Sequence, residues 1–166
     1  MTSTTDNGNN TTGSNGAAPP APTRAEQVRL ALLAALQRAP ITGRSHVLAA
    51  LDAAGVRDVT SEEARRAAEE VGAVVDGTRW TLSDGPPPGW GWRRAPWGAR
   101  YLAPVVAVSA ADESIANVTA ADSLWTVTEP GAGGRQIERG EGENDEAAME
   151  EAEMAARRAG LFARPV

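Results

Sequence analysis

Apolar residues recur at helical spacing in three successive segments of the N-terminal half of the chain. The first segment begins at Arg24 and is ended by Pro40, which cannot continue a helix. In the second segment Thr42 is the predicted N-cap and Gly55 the predicted end, and a third helix is expected over 62–71. The positions expected to face a common core are Val28, Leu32, Leu33, Leu36, Val47, Leu48, Leu51, Ala64, Ala67, Ala68 and Val71. The pattern therefore predicts three short helices that pack together.

The third predicted helix is followed by the signal for a β-hairpin. Thr60 and Glu63 have the T-x-x-E spacing of a capping box, which predicts where this helix begins. Residues 73–82 then read AVVDGTRWTL, two β-prone runs separated by Asp76 and Gly77. An Asp-Gly pair favours a two-residue turn with positive φ at both residues. The expected order is three helices and then a hairpin.

This order of elements resembles that of the winged helix-turn-helix superfamily. The resemblance covers 24–82, about a third of the chain, and depends on element order, element length and the run GAVVDGTRWTL. It implies that the third helix enters the major groove of DNA and that the hairpin, or wing, contacts the flanking backbone. The outward residues of the helix and wing are then Ser61, Arg65, Arg66, Thr78 and Arg79. The resemblance implies a non-enzymatic DNA-binding regulator or accessory factor.

The C-terminal half has a different pattern, in which strands precede a single long helix. Residues 85–99 are rich in Pro, Gly and Trp, and this composition predicts a linker. An acidic domain of β-β-β-α order is expected over 100–162. Its strands are predicted at 100–110, 123–129 and 135–140, its helix at 145–159, and an irregular stretch at 111–122.

The whole chain is therefore predicted to be an α+β protein with two small domains. The N-terminal domain, winged-helix-like with a hairpin wing, is expected over 24–84. Residues 1–23 are mostly Thr, Ser, Asn, Gly, Ala and Pro, and are expected to be a disordered tail because they offer little to bury.

Composition removes several classes of chemistry. The chain has 22 acidic residues against 16 Arg, no Lys, no Cys and a single His, and its net charge is −6. Without Lys there is no P-loop lysine and no Schiff base. Without Cys there is no disulfide, thiolate metal site or thiol nucleophile. We therefore expect no catalytic residues, no metal and no cofactor.

Residue usage and the N-terminal segment suggest an origin and a location. Ala supplies 33 of the 166 residues and Arg replaces Lys throughout, which is typical of a GC-rich coding sequence from an actinobacterium or one of its bacteriophages. No segment approaches the ~20 apolar residues of a membrane span, and the N-terminus lacks the basic and apolar regions of a signal peptide. We expect no membrane contact and a cytoplasmic location, or a virion if the chain is phage-encoded.

The charge balance of the N-terminal domain leaves a second function open. Residues 24–84 hold 8 Arg and 9 acidic residues, a net charge of −1. Neutralisation of phosphates supplies most non-specific affinity for DNA, and this domain has little positive charge for it. The alternative is a protein-interaction or phage assembly adaptor that does not contact nucleic acid.

Aromatic and cationic residues are interleaved in the predicted linker. The residues concerned are Trp90, Trp92, Arg93, Arg94 and Trp97. Single strands are held by base stacking on aromatic side chains beside Arg, so this set is a candidate for an auxiliary contact with nucleic acid or a protein partner. The alternative is that the Trp side chains fill space between two small domains with Ala-rich cores.

The segment from Glu138 to Glu153 contains eight carboxylates in 16 residues. Their spacing does not follow the order of a calcium-binding loop. We interpret them as the solvated face of the C-terminal helix, on which Glu153 stands four residues before Arg157.

Overall fold

The computed structural model describes residues 20–105, 118–130 and 133–163. Its helices are α1 (Arg24–Arg38), α2 (Arg44–Ala53), α3 (Ser61–Glu70) and α4 (Asp145–Ala159). Its strands are β1 (Ile41–Thr42), β2 (Val74–Asp76), β3 (Arg79–Thr81), β4 (Trp90–Arg94), β5 (Arg100–Pro104), β6 (Val118–Ala121), β7 (Leu124–Thr128) and β8 (Gln136–Glu141). Within the described residues the strands form two antiparallel sheets, of order β1-β3-β2 and β4-β5-β6-β7-β8. The predicted α+β class is confirmed.

The three N-terminal helices form where the apolar spacing predicts them. Capping boxes begin two of them, at Thr23 with Glu26 for α1 and at Thr60 with Glu63 for α3. Burial of a Leu or Val side chain contributes about 1.5–3 kcal/mol relative to exposure, so the predicted apolar stripes supply much of the driving force. Of those stripes only Leu48 is partly exposed, and Trp80 of β3 completes the core they form.

The start of α2 differs from the prediction. Thr42 is not the N-cap but the second residue of β1, where it pairs with Arg79 of β3. Gly43 is the N-cap instead, with φ +97°, and its N–H donates to the carbonyl of Thr78. The prediction was wrong because Thr42 gains a strand partner that is 37 residues away in the sequence.

The hairpin is present, but its turn lies one residue later than predicted. Asp76 pairs directly with Arg79, so the two loop residues are Gly77 and Thr78. Gly77 has φ +59°, whereas Asp76 and Thr78 do not have positive φ. A loop with Gly at its first position is the pattern of a type II′ turn, which suits the twist of antiparallel strands.

The predicted linker is also wrong, because residues 90–94 form the edge strand β4. Trp90 and Trp92 pack against the core on the side covered by α4, whereas Arg93 faces away from it beside Tyr101. The Pro and Gly content of 85–99 concealed this two-residue alternation.

The second sheet has five strands rather than the three predicted. The two additional strands are β4 and β6, and β6 lies in the stretch that was predicted to be irregular. The predicted strands at 123–129 and 135–140 and the helix at 145–159 are confirmed as β7, β8 and α4. Parts of three predicted features, namely 1–19 of the tail, 106–110 of the first strand and 111–117 of the irregular stretch, lie outside the described residues.

Helix α4 covers one face of the five-stranded sheet through small side chains. Ala148, Ala152, Ala155 and Ala156 are buried there against Trp125 and its neighbours on the sheet. Short Ala side chains let the helix approach closely, and the large Trp rings fill the remaining volume. The far end of α4 also reaches the N-terminal core, because the N–H of Phe162 donates to the carbonyl of Glu70.

Arg157 fixes the two halves of the described structure to each other. Its side chain is only 2% exposed and lies 5.6 Å from the centre of the Phe162 ring. The guanidinium donates hydrogen bonds to four acceptors: the carbonyls of Val71 at 2.7 Å, Gly72 at 3.2 Å and Gly85 at 3.0 Å, and Ser83 Oγ at 3.3 Å. Desolvation by burial lowers its pKa, although Arg remains cationic in proteins. The guanidinium therefore holds the chain at both ends of the hairpin that follows α3.

Contrary to the prediction of a solvated helix face, Glu153 and Arg157 are buried. Glu153 is 7% exposed and accepts a hydrogen bond from the indole N–H of Trp92. Desolvation by burial raises its pKa, and this effect exceeds the opposing hydrogen bond from Trp92 and the charge of Arg157. The predicted solvated face is confirmed for Asp145, Glu146, Glu150 and Glu151, which are exposed. It is wrong for Glu153 because α4 has neighbours on more than one side.

Candidate functional site

A groove of about 540 Å³ lies between α3 and the β2–β3 hairpin. Ser61 and Arg65 of α3 line one wall, Thr78 and Trp80 of the hairpin line the other, and Arg44 of α2 stands at the rim. The groove brings together three residues predicted to bind nucleic acid, namely Ser61, Arg65 and Thr78.

The geometry of α3 follows from its capping box and its alanines. The Thr60 hydroxyl accepts from the Glu63 N–H at 3.1 Å, and the Glu63 carboxylate accepts from the Thr60 N–H at 2.9 Å. This backbone hydrogen bond, assisted by Arg24, lowers the pKa of Glu63. With the alanine face turned to the core, Arg65 stands one turn after Ser61 on the groove side.

Two other predicted site residues are exposed but do not line the groove. Arg66 lies about 100° further round the helix than Arg65. Arg79 is the cross-strand partner of Thr42 and Asp76, which places its side chain on the sheet face opposite Trp80. The groove and the predicted wing arginine therefore occupy different faces of the three-stranded sheet.

The arginines at the groove differ from Arg24 and Arg29 of α1 in their partners. Arg24 and Arg29 form ion pairs with Glu63 and Glu70, at 3.4 and 3.1 Å. Within the described residues the side chains of Arg44 and Arg65 have no hydrogen-bonding or ionic partner. They are cations that an anionic ligand can reach.

Carboxylates lie in the same groove. Glu62 and Glu69, on successive turns of α3, line it together with the two arginines. The groove therefore combines two positive and two negative side chains, and any anion it binds must approach from the arginine side.

Sequence reasoning missed Arg44 because it placed the start of α2 incorrectly. The N-cap Gly43 has no side chain to bond the first amides, and the first turn of α2 carries no acidic residue. The positive end of this helix is consequently open beside Arg44. A Gly immediately before a helical pattern was the available signal, since Gly is an accepted N-cap residue.

The predicted auxiliary contact residues divide into an inner and an outer group. Trp90 packs edge-to-face on Phe162, with ring centres 5.2 Å apart, and Trp92 donates to Glu153. Arg93 donates to the carbonyls of Pro104 and Val105 at 3.2 and 3.0 Å. These three side chains therefore have structural roles, as the space-filling alternative predicted for the Trp residues, whereas Arg94 and Trp97 are exposed.

The described residues hold neither a cluster of metal-binding side chains nor a membrane-spanning helix. No group of three or more His, Asp or Glu side chains is arranged to hold a metal ion in that part of the chain. None of its helices combines the length and apolar character needed to cross a bilayer.

Comparisons with known proteins gave no match to any family model, curated protein or solved structure. The function of the groove is therefore argued from its geometry.

Proposed function

We propose that this protein binds duplex DNA through α3, the hairpin loop and the N-terminus of α2, and acts as a non-enzymatic regulator or accessory factor. The observation that carries the proposal is the pair of arginines, Arg44 and Arg65, that have no partner among the described residues and lie at a groove between a helix and a hairpin.

The arrangement of elements supports this proposal. The order α1-β1-α2-α3-β2-β3 with a β1-β3-β2 sheet is typical of a winged helix. In helix-turn-helix proteins the later helix enters the major groove with its N-terminal residues against base edges. Ser61 and Arg65 lie in the first half of α3, where such contacts are made. Arg65 is suited to bidentate recognition of a guanine edge.

The backbone of DNA would meet the flanks of the same surface. The open N-terminus of α2 and Arg44 offer amides and a guanidinium to a phosphate. Two further cations are exposed outside the groove, Arg66 on α3 and Arg79 on the opposite face of the hairpin, where it can meet phosphate only beyond the groove. If Arg44, Arg66 and Arg79 contact phosphate while Arg65 contacts a base, the logarithm of the affinity should fall with the logarithm of salt concentration with a slope of about −3.

The test compares two substitutions that remove the same charge. Arg65→Ala should cost about 1–3 kcal/mol at the preferred site and less at other sequences. Arg38→Ala is the control, because Arg38 is exposed and unpartnered among the described residues but does not line the groove. Affinities would be measured by fluorescence anisotropy on duplexes selected from a random pool. A third variant, Arg79→Ala, should weaken binding to all sequences alike and reduce the salt slope by about 1.

Two results would overturn the proposal. One is the absence of duplex binding by the wild-type protein at about 50 mM salt, where electrostatic binding is strong. The other is an equal loss of affinity in the Arg65 and Arg38 variants, which would show a general charge effect and no recognition by the groove.

The carboxylates in the groove favour a second candidate, the adaptor that docks a protein. Glu62 and Glu69 repel phosphate, and Val75, which also lines the groove, is 46% exposed. Glu69→Gln separates the two functions. This substitution should raise affinity for duplex DNA if phosphate approaches the groove, and an unchanged affinity favours docking of a protein.

A further inference from the structure

The tip of the β4–β5 hairpin presents an exposed tryptophan on a hydrogen-bonded turn. Trp97 is 79% exposed, the highest value for a large hydrophobic side chain among the described residues. The N–H of Gly98 donates to the carbonyl of Ala95 at 2.9 Å, and the N–H of Ala95 donates to the carbonyl of Ala99 at 2.8 Å. Pro96 occupies the second position of this turn, where its fixed φ is favourable. The indole is thus held in water by a formed turn that is anchored by buried Ala95.

Two arginines flank this tryptophan in an arrangement that is unfavourable without a ligand. Arg94 and Arg100 are direct cross-strand partners. Like charges in that position destabilise a sheet. In the part of the chain that the structure describes, neither side chain has an ion pair or hydrogen bond. An anion between them would remove the repulsion.

A cavity of about 330 Å³ opens beside the tip, toward the start of α4. Arg94, Trp97 and Arg100 line one side, and the carboxylates of Asp122 and Asp145 line the other. Asp145 also accepts from the Ser123 N–H at 2.9 Å, which fixes its position. The volume is at the lower end of the range for small-ligand sites, so the cavity suits a single planar group with its substituents. We name these five residues the tip site.

We propose that the tip site binds single-stranded nucleic acid. A base stacks on Trp97, the adjoining phosphates contact Arg94 and Arg100, and Asp122 accepts a hydrogen bond from an exocyclic amine of the base. An acidic peptide would satisfy the arginines but would offer no flat aromatic face to Trp97. A nucleotide carries an anion, a flat aromatic face and a hydrogen-bond donor together, which matches all three kinds of group in the site.

The tip site is separate from the α3 groove, since the two share no lining residue. The inference therefore does not depend on the proposed binding of duplex DNA. Variants of Arg65 test the groove alone, and variants of Trp97 test the tip alone, so that failure of one proposal leaves the other in place.

The experiment measures binding of a fluorescein-labelled single strand of about 12 nucleotides by the full chain at low salt, as DNA and as RNA. Trp97→Ala should weaken binding roughly tenfold or more, because stacking on one aromatic side chain is lost. Trp97→Phe should retain most of the affinity, since a smaller stacking face remains. Arg94→Ala and Arg100→Ala should each weaken binding and reduce its salt dependence.

A matched control separates the site from overall charge. Arg139→Ala removes one exposed positive charge from β8, on the sheet face opposite α4, and should change affinity by less than a factor of about two. Circular dichroism should show unchanged unfolding for the Trp97 variants, because the side chain is mostly exposed.

Three outcomes would overturn the proposal. The first is the absence of single-strand binding by the wild-type chain at low salt. The second is equal binding by wild type and Trp97→Ala. The third is competition by a polyglutamate peptide as effective as competition by unlabelled single strand, which would indicate an acidic protein partner instead.

Discussion

Helices α3 and α4 are both built from Ala, Glu and Arg, yet their charged side chains have different environments. In α3, Arg65 and Arg66 are exposed and unpartnered among the described residues. In α4, Glu153 and Arg157 are buried and hydrogen-bonded to groups far away in the sequence. The two helices differ in how many of their faces are covered by the rest of the protein. Helix α3 packs mainly on α1 and α2 through one alanine face, whereas α4 packs on the sheet and also against α1 and the segment after α3.

This comparison teaches that composition alone does not distinguish a binding helix from a structural one. A charged side chain is available to a ligand only where the fold leaves its side of the helix open. On that basis the arginines of α3 should matter for binding and little for stability, and Arg157, the buried arginine of α4, should show the reverse.

The largest expected effect is on stability, from Arg157→Met. The substitution removes the guanidinium donor from four acceptors, three of them carbonyls. Of these, the Gly85 carbonyl keeps a hydrogen bond from the Ser83 hydroxyl at 3.4 Å. The substitution should lower the free energy of unfolding by about 3 kcal/mol or more, because unsatisfied buried acceptors retain their desolvation cost. Urea denaturation measures this loss.

Arg158→Met is the matched control on the neighbouring residue. Arg158 pairs with Glu138 at 2.8 Å, but both side chains are about 40% exposed. Its loss should cost about 0–1 kcal/mol, as for other surface ion pairs. Equal effects of the two substitutions would contradict the structural role of Arg157.

The second prediction tests whether the hairpin beside the groove depends on the positive φ of Gly77. Gly77→Val should lower stability by about 1 kcal/mol or more, because a β-branched residue is strained at φ +59°. Nothing lies within 4 Å of the added Cβ, so steric contact is not the cause. Thr78→Val, in the same loop but without positive φ, should leave the melting temperature nearly unchanged. An unchanged melting temperature for Gly77→Val would show that the hairpin loop is formed differently.

A third prediction uses pH to test the burial of Glu153. Its pKa is raised in the folded protein, so the folded state binds a proton more readily than the unfolded state. The resulting stabilisation is complete below the unfolded pKa and is lost as pH rises through the folded pKa. Glu153→Gln keeps an oxygen acceptor for Trp92 without the charge, so its stability relative to wild type should increase as pH rises above 4.5.

Denaturant unfolding at several pH values measures that difference. Glu146→Gln is the control, since Glu146 is exposed on the same helix, its substitution removes the same charge, and it is not among the groups that shift the pKa of Glu153. If both variants follow the same pH dependence relative to wild type, the burial of Glu153 has no energetic consequence and the contrast between the helices is weaker.

The smallest expected effect on stability is that of Arg65→Ala. An exposed side chain without partners in the described structure should change the free energy of unfolding by less than about 0.5 kcal/mol. Thermal unfolding of the variant used in the DNA-binding assay checks this. A loss above about 1 kcal/mol would place Arg65 among the structural arginines.

Much of the fold was predictable because its signals are local. The capping box at Thr60 and Glu63, the spacing of Leu32 and Leu36 and the Gly at position 77 act over a few residues, and each predicted its helix or hairpin. The site was predicted in part, since Ser61, Arg65 and Thr78 meet in one groove whereas Arg66 and Arg79 lie outside it.

The features that were missed depend on partners distant in the sequence. Strand β4 forms because Trp92 pairs with Leu102 across the hairpin and donates a hydrogen bond to Glu153 on α4. Thr42 becomes a strand residue because it lies beside Arg79. No local sequence signal for strand β4 outweighs the Pro and Gly content of 85–99. Likewise, no local signal for a strand at Thr42 outweighs the preference of Thr for helix N-caps.

The amino-acid sequence thus determined the helices, the hairpin and the apolar faces. Its lack of Lys and Cys also excluded the chemistry that depends on these residues. Tertiary packing decided which charges serve the structure and which remain open to a ligand. The physical reason is that helix periodicity and caps are set by neighbours in the sequence. The burial of Arg157, in contrast, depends on a carbonyl at Val71, 86 residues earlier, that only the folded chain brings to it.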